Sequence, residues 1–411
     1  MVTESKYNKN LFPLYLLIAS SFIFIFRPWL IILPLYSSFD EIIVLLALFY
    51  YLVKKNNCHR LDKEFYVALI IMTFFLCYSL YRGVNVAKAA IFDFIVFLKP
   101  LITFFVIKSI PVSIESSLKN KFKNIFLVCG IYCWGILPFI HKLYPNTAAY
   151  YPACLLSGVG YLFFSDRKKI NWLIALLFFV PGLFSLRAKF FTEFLLFTFV
   201  GLFLKEKVKL NLKWILLITV LTIGAIYVSY EKFAWYFLSG TDTEAVRTLF
   251  YINSGKILFD YFPLGPGFGT FATEAAAKYY SPLYYDYGMA YVWGATKDDY
   301  GTSSNFLDDT FYPAITQFGI VGCFLFIWFW IRRYKEAVSL SLENYRIYMF
   351  IFATICIQNI AANSFTGPTS IPYMLYLALI NKSNPINRLL HLIFSVLRRK
   401  QVLLHNHGIE I

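Results

Sequence analysis

The sequence predicts an all-α polytopic membrane protein with about twelve transmembrane helices, cytoplasmic termini and one large extracytoplasmic loop that contains short helices. Hydrophobic residues make up 59% of the 411 residues and charged residues only 15%, which is far from the average of soluble proteins. The apolar residues form long blocks, for example at 11–26 and 215–230. Lipid offers the backbone no hydrogen-bond partner, so apolar blocks that approach about 20 residues indicate membrane helices.

The distribution of basic residues predicts how these helices are oriented. The predicted spans cover about residues 11–26, 39–53, 65–81, 92–107, 124–141, 150–164, 172–186, 189–204, 214–230, 311–331, 347–362 and 370–381. Loops on one side carry most of the 38 Lys and Arg residues, and basic loops face the cytoplasm. The chain then divides into spans one to nine (1–230), a large outer loop (231–310), spans ten to twelve (311–381) and a basic cytoplasmic tail (382–411).

Charge and cysteine content exclude several function classes. Positive-inside topology and attraction to anionic membrane lipid account for the net charge of +15, so nucleic acid is not an expected partner. None of the seven cysteines lies in the outer loop. Cys129 and Cys133 are four residues apart within an apolar span, with no His or acid in register. They indicate core packing, and we predict neither a metal site nor a cofactor.

The first candidate site is a tight turn between two apolar spans, with the sequence Ser-Leu-Arg-Ala-Lys at 185–189. Arg187 and Lys189 fall at the outer interface, where the positive-inside rule disfavours them. Glu193 follows Lys189 by one helical turn, so the two side chains are spaced for a pair. The turn is either an anion site or a place where two long side chains snorkel.

The second candidate is Arg247 in the outer loop. Residues 244–259 are patterned as a helix that lies on the membrane surface, with an apolar stripe on one face and Arg247 and Tyr251 on the other. Arg247 is then either a functional cation or a solvated charge.

The third candidate is an acidic segment just before the tenth span. A helix that begins near Ser303 or Ser304 places Asn305, Asp308 and Asp309 on one face. These groups either cap the helix and complement its dipole, or serve as a base and bind sugar hydroxyls. The outer loop is also rich in aromatic residues, which suit either sugar stacking or an interfacial belt.

Two further segments need an interpretation. The glycine-rich stretch at 262–270 follows no strand, so it indicates a compact turn and not a nucleotide loop. Lys99 and Pro100 lie inside the fourth span. They suggest either a transport site or a kink in which Asp93 is the partner of Lys99.

Together these features resemble the O-antigen polymerase and ligase superfamily of bacterial membrane enzymes. The layout matches, and so do three local segments: the Ser/Arg turn at 185–188, Arg247 followed by Pro-Leu-Gly-Pro-Gly-Phe-Gly-Thr-Phe at 263–271, and Ser-Asn-Phe-Leu at 304–307 with Gly-Ile-Val-Gly at 319–322. Where the ligases of this superfamily have a His, the chain has Ser304, and its outer loop contains no His. The resemblance therefore favours a polymerase.

The resemblance implies a polymerase of undecaprenyl-diphosphate-linked oligosaccharide repeat units, for O-antigen, capsule or exopolysaccharide, at the outer face of the bacterial cytoplasmic (inner) membrane. Undecaprenyl diphosphate is the leaving group, and no cofactor or metal takes part. Arg187 and Arg247 would clamp the diphosphate, and Asp308, Asp309 or Glu193 would activate the acceptor hydroxyl. The remaining expected contacts to substrate come from four residues: Lys189, Tyr251, Asn305 and Ser304. A flippase and a chain-length regulator of the same pathway are the expected protein partners.

Three other functions fit the same sequence. A ligase would transfer finished glycan to lipid A core, a transporter or flippase would move lipid-linked sugar, and a structural protein would only support an assembly complex. The span count and the basic residues suit a transporter, but the chain shows no related halves.

Overall fold

The computed structural model describes residues 10–144, 149–166, 168–208, 246–302 and 305–382. Within these residues all regular secondary structure is helical. The α-helices of five or more residues, numbered in chain order, are α1 (Phe12–Ile25), α2 (Phe39–Val53), α3 (Lys63–Arg82), α4 (Ala87–Ser109), α5 (Ser116–Ile136), α6 (Tyr151–Phe164), α7 (Lys169–Leu183), α8 (Ala188–Thr198), α9 (Val246–Asp260), α10 (Glu274–Lys278), α11 (Phe311–Ile315), α12 (Gly319–Ser339), α13 (Leu342–Gln358) and α14 (Ser370–Lys382). A π-helical turn, Phe199–Phe203, continues α8.

Five helical stretches are long and apolar enough to cross a membrane, and the protein is therefore a helical membrane protein in its coarse architecture. They are Pro34–Val53, Lys63–Arg82, Ala87–Ser109, Ser116–Leu143 and Phe311–Ser339. Large apolar side chains project from their outer surfaces, among them Phe49 (67% exposed) and Ile70 (69% exposed). Such a surface is costly in water and favourable in lipid.

A helix occurs in every predicted span except the ninth, 214–230, which lies outside the described residues. Two helices begin earlier than predicted, with polar residues in their first turns. Helix α5 begins at Ser116, eight residues before the predicted span, and α13 begins at Leu342, where the Ser341 hydroxyl accepts a hydrogen bond from the Asn344 amide. A block of apolar residues indicates only the part of a helix that suits lipid. A first turn with charged or capping residues is therefore left out of the predicted span.

Two helices form the centre of the bundle. Every residue from 370 to 381 in α14 is buried, and α6 is buried along nearly its whole length. Small residues let neighbouring helices approach α6 closely: a Cβ on Gly160 would lie 2.3 Å from the Phe126 ring, and one on Gly158 would lie 2.5 Å from the Phe179 ring. This is the usual way in which helices pack where lipid supplies no hydrophobic driving force.

The described part of the outer loop has its own hydrophobic core. Phe250 and Ile257 of α9 pack there with Phe271, Tyr284 and Leu307, all of them fully buried. The aromatic residues of this loop therefore divide into two groups. Tyr280 and Tyr284 are core residues, while Tyr291 (81% exposed) and Trp293 (56% exposed) face outward.

The glycine-rich segment at 262–270 folds back onto the bundle, where Asp93 of α4 binds it. One carboxylate oxygen of Asp93 accepts hydrogen bonds from the Gly269 amide (2.8 Å) and from the Gln317 side chain (2.9 Å). The Ser79 hydroxyl of α3 accepts from the Phe268 amide at 2.7 Å. A Cβ on Gly319 would lie 2.2 Å from the Pro263 carbonyl oxygen, so the two backbones touch. The segment is thus a docking element that joins the outer loop to α3, α4 and α12.

This close contact also interrupts the predicted tenth span. Helix α11 ends at Ile315, a 3₁₀ turn covers Thr316–Phe318, and α12 begins at Gly319 with φ +61°. Only glycine adopts this backbone conformation without strain. The sequence predicted one continuous helix because its apolar residues run through the break.

The predicted partner of Lys99 is wrong. The Lys99 ammonium binds Asp40 at 2.5 Å and Glu41 at 2.8 Å, both at the start of α2, whereas Asp93 binds the glycine-rich segment. Residues six apart on a helix are rotated by about 240°, so Lys99 and Asp93 face different neighbours.

Candidate functional site

The predicted Ser/Arg turn places a cation at the start of α8. Ser185 is buried, and Leu186 adopts φ +52°, an unusual conformation for a residue with a branched side chain. Arg187 is the N-cap residue of α8, and its carbonyl oxygen accepts a hydrogen bond from the Phe190 amide at 2.9 Å. The positive end of the helix dipole therefore lies beside the Arg187 and Lys189 side chains.

Lys189 connects this turn with the outer loop. Its ammonium lies 5.4 Å from the ring centroid of buried Tyr151. It interacts electrostatically with Asp309 and Glu193 and with the positive charges of Arg247 and Arg187. Arg187 and Arg247 therefore lie at the same end of the bundle and share a neighbour. We refer to Arg187, Lys189 and Arg247 as the cation cluster.

Arg247 is a buried member of an ion pair. Its side chain on α9 is 10% exposed, and its guanidinium binds the Asp309 carboxylate. The guanidinium carbon also lies 5.0 Å from the centroid of the Phe306 ring, within the range of a cation–π contact. The alternative that Arg247 is a solvated charge is therefore wrong.

The predicted helix from Ser303 or Ser304 is also wrong where the structure describes it. Residues 305–310 form a turn, and the helix begins only at Phe311. The Asn305 side chain accepts from the Leu307 amide at 3.0 Å and donates to Asp308 at 3.0 Å. Asn forms such local bonds in competition with a helix. Ser304, with its predicted capping and substrate-binding roles, lies outside the described residues.

The two neighbouring carboxylates of this turn have different surroundings. Asp309 pairs with Arg247. Burial, with smaller contributions from the negative charges of Asp309 and Glu274, raises the pKa of Asp308 to about 6. Asp308 is thus a carboxyl group whose protonation changes near pH 6.

We expect Asp308→Asn to make the protein more stable at pH 7.5 and equally stable at pH 4. The folded protein binds this proton more tightly than the unfolded chain, so the free energy of unfolding falls as pH rises from about 4 to about 6. After discounting for the partly exposed side chain, the gain at pH 7.5 is about 1 kcal/mol. Thermal unfolding in detergent at both pH values measures it.

The exposed Asp298 supplies the matched control, since Asp298→Asn removes the same charge from the same loop. A variant D308N that melts below the wild type at pH 7.5, or differs from it equally at both pH values, would contradict the prediction.

Glu193 lies deeper in the protein than the cation cluster. It is fully buried, and one of its oxygens accepts a hydrogen bond from Gln358 of α13 at 2.9 Å. Gln358 in turn lies 3.2 Å from the Tyr373 hydroxyl of α14. The other Glu193 oxygen has no hydrogen-bond partner among the described residues. Glu193 acts on Lys189 through its charge and ties α8 to α13.

The other predicted binding residues have structural contacts of their own. The Tyr251 hydroxyl donates to the Ile360 carbonyl at 2.8 Å and so joins α9 to the segment after α13. Burial raises the pKa of Tyr251 to about 12, although the charge of Arg247 opposes the rise. Asn305 shapes the turn that carries Asp308 and Asp309. These hydrogen bonds of Tyr251 and Asn305 do not test whether either residue binds substrate.

Sequence reasoning missed Phe306, Tyr151 and Gln358. Phe306 stood inside a recognised segment, directly between Asn305 and Leu307, but its ring was not assigned to Arg247. Tyr151 and Gln358 come from other spans, α6 and α13, and only the packing of the helices brings them to this site.

No protein-family model and no curated protein matches this chain.

Proposed function

We propose that this protein polymerises oligosaccharide repeat units carried on undecaprenyl diphosphate. The observation that carries the proposal is the convergence of Arg187, Lys189 and Arg247, from two distant parts of the chain, beside the carboxylates of Asp309 and Glu193. A protein that handles a phosphate-bearing substrate needs fixed cations at one place, and arginine is suited to grip phosphate with its planar fork. The resemblance to the polymerase and ligase superfamily gives this chemistry its substrate class.

The reaction needs a charged leaving group to be stabilised. An acceptor hydroxyl forms a new bond to the anomeric carbon of the donor sugar, and the bond from that carbon to the phosphate oxygen breaks. Undecaprenyl diphosphate leaves with the electron pair, and the cation cluster stabilises its growing charge. Among the three candidate carboxylates, Asp308 is the best suited to accept the hydroxyl proton, because it is partly exposed, whereas Asp309 pairs with Arg247 and Glu193 is fully buried beside Gln358.

An apolar groove supports a lipid-borne substrate. It has a volume of about 130 Å³ and is lined by α3, α4, Phe268, Ile315 and α12. One lining residue, Phe97, lies 6.0 Å from the Phe311 ring, two residues beyond Asp309. An isoprenoid chain is the kind of group that this lining suits.

The proposal includes a finer topology. Twelve spans with cytoplasmic termini place the cation cluster at the outer face of a bacterial inner membrane, where a flippase delivers the donor and a chain-length regulator acts on the product. Ser304 and the absence of His from the outer loop favour a polymerase over a ligase.

Purified protein in detergent, supplied with lipid-linked repeat units, should extend them into polymer without a sealed membrane. Activity that appears only across a sealed vesicle wall would favour a transporter. The supporting observation for a transporter is the ion pairing of the buried Lys99 and Asp40 with the partly exposed Glu41. Glycan that is transferred only to lipid A core would favour a ligase. No reaction in any format would contradict an enzyme.

A further inference from the structure

We propose that Asp309 is a displaceable counter-ion that occupies the phosphate position on Arg247 in the resting protein, while Phe306 holds the guanidinium in place during the exchange. This inference rests on the proposed function, because it names how the cation cluster accepts its diphosphate. The two partners of Arg247 come from one turn, residues 305–310, and they approach the same guanidinium in different ways.

The geometry distinguishes the two contacts. Asp309 binds a guanidinium nitrogen, which is where a phosphate oxygen would also bind. Phe306 instead lies 5.0 Å from the guanidinium carbon, in a ring contact that uses no hydrogen-bond donor of the arginine. An incoming phosphate therefore competes with Asp309 but not with Phe306.

Exposure shows which partner can leave. The Asp309 side chain is 31% exposed, whereas that of Arg247 is 10% exposed. A carboxylate that turns outward regains water, whereas the buried guanidinium would also give up its ring contact with Phe306. Displacement of Asp309 is thus the less costly movement.

The backbone of the turn need not move. Leu307 is fully buried in the core of the outer loop, and the Phe306 amide donates to the Gly294 carbonyl at 3.0 Å. The Phe306 ring also contacts Trp293, with 5.9 Å between the ring centroids. The exchange needs only a rotation of the Asp309 side chain.

Charge balance favours the exchange when a diphosphate arrives. Asp309 acts on Lys189 as well as on Arg247. When it turns away, both cations lose an anion and become available to the two phosphates together. Asp309 thereby keeps the cation cluster compensated until the substrate replaces it.

The test is the binding of inorganic pyrophosphate to purified protein, measured by calorimetry at constant ionic strength. Without its competitor, Asp309→Asn should bind pyrophosphate about 10-fold more tightly than the wild type, which is about 1.4 kcal/mol. Its melting temperature should be lower than that of the wild type without ligand, and pyrophosphate should raise it by more than it raises the wild-type value. Asp309→Ser should behave in the same way if Asp309→Asn accumulates poorly.

Three controls locate the effect. Asp298→Asn, an exposed change of equal charge in the same loop, should leave the pyrophosphate affinity unchanged. Adding Arg247→Ala to Asp309→Asn should abolish the gain. Phe306→Leu should weaken binding with either residue at 309, and Phe306→Tyr should restore it.

Unchanged or weaker pyrophosphate binding by D309N would overturn the inference. A gain in pyrophosphate affinity that persists when Arg247→Ala is added, or that D298N also shows, would overturn it as well. These results would leave the polymerase proposal standing if repeat units are still polymerised. Tighter binding by D309N in a protein that makes no polymer would uphold the exchange and refute the polymerase.

Discussion

Arg247→Ala and Arg187→Ala should each abolish long-chain polysaccharide while the protein still accumulates in the membrane. Each arginine belongs to the cation cluster, and under the proposed function each would contribute charge where the leaving group becomes more negative. Removal of one such preorganised donor typically costs 10²- to 10³-fold in rate. The length distribution of the polysaccharide on a gel, together with the rate of polymer growth in detergent, measures the loss.

Lysine should rescue poorly at both positions. A lysine ammonium keeps the charge but lacks the planar fork that grips two phosphate oxygens. At position 247 it would also weaken the contact with the Phe306 ring, because a planar guanidinium packs against an aromatic face better than a compact ammonium does.

Arg82 is the matched control for these variants. It is an exposed arginine at the end of α3, where its guanidinium carbon lies 5.5 Å from the Tyr261 ring centroid. Arg82→Ala should make polysaccharide of normal length. A normal length distribution of the polysaccharide from R247A or R187A would contradict the proposed role of that arginine. An equal defect in R82A would show that general surface charge is responsible.

The second large effect concerns Asp93, which should be essential for docking the glycine-rich segment. Asp93→Ala would leave the Gly269 amide and the Gln317 side chain as buried donors without their acceptor. Each lost partner of this kind costs about 1–3 kcal/mol. We therefore expect a loss of about 3 kcal/mol or more, seen as a lower melting temperature and as faster proteolysis within residues 246–302.

Asp93→Asn should be much milder than Asp93→Ala. A single oxygen of Asp93 accepts both hydrogen bonds, and an Asn side chain retains one such oxygen. Ser79→Ala, which removes only the acceptor of the Phe268 amide, should cost about 1 kcal/mol. If D93N is as damaging as D93A, the negative charge matters more than the hydrogen bonds, and an unchanged D93A would refute the anchoring role.

The sequence predicted the helical architecture because apolar blocks report directly on segments that suit lipid. It drew attention to Arg187 and Arg247 because cations near a predicted outer interface are unusual enough to be noticed. It did not predict that Arg247 pairs with Asp309, since the two residues are separated by most of the outer loop.

The prediction was wrong where side-chain hydrogen bonds or contacts with distant segments determine the local structure. The spacing of Asn305, Asp308 and Asp309 fits a helix, yet the hydrogen bonds of Asn305 produce a turn. The spacing of Lys99 and Asp93 suggested a pair, but each side chain meets a different helix. The helix is interrupted at Gly319 because the backbone contacts Pro263 there. The spacing of apolar residues within one segment gives no information about such a contact with a distant segment.

The burial of α14 has a consequence for biogenesis. This helix follows every other described helix in the chain, yet it fills the middle of the bundle against α1, α4 and α13. During synthesis the ribosome therefore delivers α6 and the surrounding described helices before α14, the second helix of the centre. The packing of the earlier helices against α14 is completed only when the residues from Ser370 onward have been made.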